Sequence, residues 1–135
     1  MATINADINI STDICGYSVS NSMTMKKLGT NSGIENSTGI ATKKFTAVSA
    51  VAVIEQDEIT DSKASKLYMR NTGSSKNDFF YVAINASAAA SDTAETIGKL
   101  YGGDWMLVPY EGAVNITVAP STAEVMTLEY GVFYE

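Results

Sequence analysis

Few residues in this chain of 135 could carry chemistry, and they are scattered. The sequence contains no histidine. That removes the commonest general acid–base group, the Ser-His-Asp and Cys-His nucleophile systems, and imidazole metal sites. Cys15 is the only cysteine, so neither an intrachain disulfide nor a thiolate metal cluster can form. It sits beside Gly16 with no nearby basic residue to depress its pKa, and reads as a small buried filler rather than a nucleophile. Carboxylates crowd into Glu55-Gln56-Asp57-Glu58-Ile59-Thr60-Asp61. Asp57, Glu58 and Asp61 could hold a hard cation or act as paired acids. Their spacing is not that of an EF-hand, and a solvated turn between strands explains them more simply. Gly102-Gly103-Asp104 places an acid where a phosphate loop needs a lysine. No catalytic residue, metal or cofactor is assigned, and an enzyme is not expected.

The aromatic residues are more promising. Tyr101, Trp105 and Tyr110 flank the Gly102-Gly103 pair, and Tyr68, Phe79, Phe80 and Tyr81 are expected on neighbouring strands. Tyr101, Trp105 and Tyr110 could form a platform that stacks on sugar rings, as in a carbohydrate-binding β-sandwich. Core and interface filling is the simpler account, because Trp and Tyr combine an apolar body with a polar tip.

Positioning such residues falls to strands. Ile4, Ala6, Ile8 and Ile10 alternate with Thr3, Asn5, Asp7, Asn9 and Ser11, the period of a half-buried strand. In Phe45–Glu55 apolar residues occupy both faces: Phe45, Val51 and Val53 on one, Val48, Ala50, Ala52 and Ile54 on the other. Such a strand is covered on both sides or buried at a subunit contact, which makes Phe45, Val51 and Val53 candidate interface residues. Thr96–Tyr101 and Asp104–Tyr110, joined by Gly102-Gly103, read as a hairpin because both turn positions tolerate positive φ. Val114, Ile116 and Val118 alternate with Asn115 and Thr117, and Met126, Leu128, Tyr130, Val132 and Tyr134 alternate to the end. A helical turn or a loop fits Ala86–Glu95.

The expected fold class is all-β: an antiparallel β-sandwich or jelly-roll-like barrel. The Gly/Ser/Asn/Thr tract Leu28–Thr42 has no core stripe. Residues 1–42 are therefore expected as an N-terminal arm or peripheral hairpin, and 43–135 as the sandwich domain.

Composition limits the partners. The formal net charge is −6, and the nine basic residues cluster no further than the pairs Lys26–Lys27 and Lys43–Lys44. A nucleic-acid backbone needs clustered Lys and Arg, so that partner is not expected. The longest apolar run, Ala47 to Ile54, is too short to cross a bilayer, and the start shows no signal-peptide pattern. No membrane partner is expected.

The C-terminal half has a recognisable order of pieces. Leu67-Tyr68-Met69-Arg70-Asn71-Thr72-Gly73, Phe80-Tyr81-Val82-Ala83-Ile84, Ile97-Gly98-Lys99-Leu100 and Gly103-Asp104-Trp105-Met106-Leu107-Val108-Pro109-Tyr110 are followed by Asn115-Ile116-Thr117-Val118-Ala119 and Leu128-Glu129-Tyr130-Gly131-Val132-Phe133. Over about residues 66–134 this order resembles small virion structural proteins of tailed bacteriophages, among them capsid decoration (cement) proteins and small tail-associated β proteins. The resemblance implies a homo-oligomer, with a trimer favoured, that is made in the host cytoplasm and seated on the capsid exterior. There it would bind the phage major capsid protein and stabilise the shell; a tail or neck component is the alternative. It carries no catalytic or binding residue over to this chain.

Overall fold

The computed structural model describes residues 4–13, 16, 18–24, 34, 36–60, 64–85 and 95–135. Among these there is no helix, and the chain is all-β. Two long strands come first, β1 (Asn5–Ser11) and β2 (Ser18–Thr24), followed by the short β3 (Asn36–Ser37), β4 (Ala41–Phe45) and β5 (Val51–Ile54). Then come β6 (Ser65–Asn71), β7 (Phe79–Ile84), β8 (Thr96–Tyr101), β9 (Trp105–Tyr110), β10 (Ile116–Pro120) and β11 (Met126–Tyr134).

Two antiparallel sheets form a sandwich. One runs β5-β10-β7-β8; the other runs β3-β11-β6-β9, with β4 continuing β3 along the same side of β11. In the five-stranded sheet, cross-strand register fixes which residues share a face. Leu67 opposes Val132 and Val108, and Met69 opposes Tyr130 and Met106; this face is turned inward. It meets Phe80, Val82, Ile116 and Val118 of the other sheet in one core. Phe45 and Phe80 join the layers edge-on, with ring centroids 5.2 Å apart.

Phe45–Glu55 is not a single strand. The chain leaves the five-stranded sheet at Phe45, crosses an exposed stretch at 46–50, and enters the four-stranded sheet at Val51. Apolar residues on both faces of the sequence pattern come from two strands in different layers. Phe45 and Val53 are buried inside this sandwich and Val51 packs against the same core, which explains their character without a subunit contact.

The Gly102-Gly103 turn also differs from expectation. The turn is tight, with the Asp104 amide donating to the Tyr101 carbonyl at 2.9 Å and Gly103 at φ +89°. However, β8 and β9 do not pair: β8 pairs β7, and β9 pairs β6. The turn carries the chain from one sheet to the other. Gly102 is required there, since a Cβ would lie 2.3 Å from the Ser75 carbonyl oxygen.

The sandwich begins earlier than residue 43. Ile34 is buried, and β3 and β4 form the edge beside β11. Only β1 and β2 stand apart, paired with each other from Asn5↔Thr24 to Ser11↔Ser18.

Candidate functional site

The β1–β2 hairpin has two unlike faces. Ala6 opposes Met23 and Ile10 opposes Val19 on one face, while Asp7, Asn9 and Ser11 oppose serines on the other. The apolar face is not sealed: Ile8 is 38% exposed, Met23 44% and Ile10 47%. A two-stranded hairpin alone is marginal in water, so an uncovered apolar face on one is costly to leave wet.

The hairpin stands over the outer face of the five-stranded sheet. That outer face is read from the register: Arg70 opposes Trp105, Tyr68 opposes Leu107 and Gly131, and Lys66 opposes Pro109 and Phe133. Between hairpin and sheet lies an open cleft of about 580 Å³. Tyr68, Trp105, Leu107 and Phe133 form its floor, Ile40 lines it, and residues 4–7 border it from the hairpin. Nearer the apolar face of the hairpin a second gap of about 200 Å³ separates Ile8 and Met23 from Trp105 and Leu107. The hairpin leans on its own sandwich without closing on it.

Two carboxylates belong to the larger cleft, and both are held. Glu129 Oε1 accepts a hydrogen bond from the Tyr68 hydroxyl at 2.8 Å. Asp7 accepts one from the Ser22 hydroxyl across the hairpin. Burial raises the Tyr68 pKa above its ordinary value, and the adjoining Glu129 raises it further while Arg70 opposes. Tyr68 is therefore a neutral donor at physiological pH.

The proposed stacking platform is not assembled. Trp105 lies on the outer face of the five-stranded sheet and is half exposed. Tyr101 packs on Phe79, centroids 5.1 Å apart, on the four-stranded sheet. Lys99 Nζ caps that cluster 4.6 Å from the Phe79 ring. Tyr110 is buried in the core, and its hydroxyl donates to the Val114 carbonyl at 2.8 Å. The strand period fixed which residues alternate, but the crossing turn at Gly102-Gly103 sends the three rings to three different places. Tyr68, Glu129 and Phe133 join Trp105 instead, and no sequence pattern singles them out together; only strand order brings these distant positions to one place.

The carboxylate run is a turn. Glu58 Oε2 accepts from the Glu55 amide at 3.2 Å, and Asp57 takes the left-handed φ of +65°. Among the described residues no three metal-ligating side chains gather. Asp61, Cys15 and most of Ala86–Glu95 lie outside the described residues. No helix of the described residues is long and apolar enough to cross a membrane.

Comparison with known proteins adds little. No family model matches the chain, and no curated protein does. A solved structure, that of Aeromonas hydrophila PliG, a periplasmic lysozyme inhibitor of g-type lysozyme, is similar over 73% of this chain and 86% of that one. The identity is 18% and the TM-score 0.38. None of these comparisons returns a virion component, and the decoration and tail or neck readings implied by the resemblance in the C-terminal half are withdrawn. The carbohydrate-binding reading falls because Tyr101, Trp105 and Tyr110 do not assemble into one platform. The inhibitor's own activity is not transferred to this chain on so slight a likeness.

Proposed function

We propose that the chain is a non-catalytic association module, a β-sandwich that assembles with further copies of itself through the β1–β2 hairpin. One observation carries the reading: Ile8, Ile10 and Met23 share a hairpin face that the chain's own sandwich leaves open to water. Burying one such side chain fully is worth about 1.5–3 kcal/mol, so a few of them supply a useful driving force for association. A second copy offers the same face, and a two-fold pairing of identical apolar faces is self-complementary. The absence of histidine supports a binding role over a catalytic one.

Sedimentation equilibrium tests this with the full chain and the double variant Ile8→Ser/Ile10→Ser. The natural chain associates as concentration rises, and the variant stays monomeric with an unchanged circular dichroism spectrum. A natural chain that remains monomeric throughout contradicts the reading.

A further inference from the structure

The cleft beneath the hairpin has features that its apolar face does not account for. Four successive residues, 4–7, border it. No residue of β2 does, so the cleft lies on the side of β1 away from its partner strand. β1 pairs with β2 alone among the described strands, so this edge presents backbone donors and acceptors to the cleft. The opposite wall is aromatic, and the charged residues lining the space are Asp7 and Glu129. Arg70 does not line it but stands beside it, across the strands from both Trp105 and Glu129 and close enough to Tyr68 to oppose the rise of its pKa.

We propose that this cleft binds an extended polypeptide segment carrying a lysine or arginine, which adds as a strand to the free edge of β1. Backbone pairing supplies affinity without regard to sequence, and the side chains that alternate toward the floor supply selectivity. A cationic side chain on that face runs its aliphatic stem over Trp105 and Tyr68, as cations favour the faces of such rings. Its charged head meets Glu129, which the Tyr68 hydroxyl already holds in place at 2.8 Å. Asp7, fixed by Ser22, adds a second negative group on the hairpin side. An acidic side chain at the same position would face two carboxylates, a contrast that Arg70 beside Glu129 reduces without reversing. At about 580 Å³ the cleft has the size of a ligand site and suits a few residues of an extended chain. This stands apart from self-assembly, which uses Ile8, Ile10 and Met23, none of which lines the cleft.

Trp105 is the only tryptophan of the chain, so its fluorescence reports the cleft and the adjoining gap beneath Ile8 and Met23. The probe is an acetylated and amidated pentapeptide of alternating valine and lysine, titrated into the full chain. Three controls accompany it: the same peptide with acetylated lysines, the same peptide with glutamate for lysine, and butylamine alone. The lysine peptide shifts the Trp105 emission saturably. Glu129→Gln weakens it by about tenfold, the scale of one lost charge-assisted hydrogen bond. Asp7→Asn weakens it less, and the three controls bind weakly or not at all. The proposal is overturned by a lysine peptide that leaves the emission unchanged, or by an acetylated or glutamate peptide that binds as well. Butylamine binding as tightly as the peptide also overturns it, because the site then takes a free amine and no strand. Sedimentation of the same samples keeps this outcome separate from that of self-assembly.

Discussion

Asn71 donates from its side-chain nitrogen to the carbonyl oxygen of Leu100 at 3.0 Å, and this bond joins the two sheets from inside. Asn71 ends β6 of the five-stranded sheet, while Leu100 belongs to β8 of the other. Its side-chain oxygen in turn accepts from the Gly73 amide at 3.0 Å, so both ends of a buried amide are satisfied. The Asn71 backbone closes the same junction: its amide donates to the Asp104 carbonyl, and its carbonyl accepts from the Gly103 amide. One residue thus anchors the crossing turn that delivers Trp105 to the outer face.

Replacing Asn71 should therefore be expensive although it touches no ligand. Asn71→Ala leaves the Leu100 carbonyl and the Gly73 amide without these partners, at an expected cost of about 2–3 kcal/mol. Urea denaturation reads it, and a loss below about 0.5 kcal/mol, the scatter of ordinary surface substitutions, contradicts the anchoring role.

Two glycines give a matched comparison of steric demand. At Gly131 a Cβ would lie 2.4 Å from the Gly39 carbonyl oxygen, where the β3–β4 edge presses on β11, whereas at Gly98 it would meet nothing within 4 Å. Gly131→Ala should cost about 1–3 kcal/mol, the range for forced overpacking. Gly98→Ala should fall within about 0.5 kcal/mol of neutral. Equal midpoints for the two in the same denaturation series would contradict the close approach.

Alkaline pH should weaken the fold through Tyr110 and Tyr68. Burial raises the Tyr110 pKa, with the nearby Glu58 and Asp57 adding to it, and burial with Glu129 raises that of Tyr68. Each phenol is held protonated in the fold more firmly than in the unfolded chain, where its pKa is about 10. That contribution is complete below pH ~10 and is lost as pH rises through the higher folded values. Tyr110→Phe should flatten part of this alkaline decline and leave the Tyr68 share behind. At neutral pH it should cost about 1 kcal/mol for the lost bond to Val114. An unchanged slope above pH ~10, followed by thermal melts across pH, would contradict the assignment.

Much of this architecture is legible in the sequence, and the exceptions share one cause. Alternation reports which side chains face together, so the strands around Ile4–Ile10, Val114–Val118 and Met126–Tyr134 follow from the order of residues alone. It does not report the partner strand. Phe45 and Val51 read as one two-sided strand because residues in different layers follow one another in sequence. Gly102-Gly103 reads as a hairpin because a tight turn has the same chemistry whether it closes a pair or crosses a sandwich. The cleft lies beyond such reading, since Asp7, Tyr68, Trp105, Glu129 and Phe133 come from four strands whose order no local pattern encodes. The hairpin is legible in part: Ile4, Ala6, Ile8 and Ile10 mark β1, whereas β2 offers only Val19 and Met23 in a run of serine and asparagine.

Self-assembly through the hairpin is tested most directly by amide hydrogen exchange of β1 and β2 as a function of protein concentration. Amides of Asn5–Ser11 and Ser18–Thr24 should be protected at high concentration and lose that protection on dilution, while those of β6 and β11 remain protected throughout. Hairpin amides that exchange at the same rate at every concentration would contradict it.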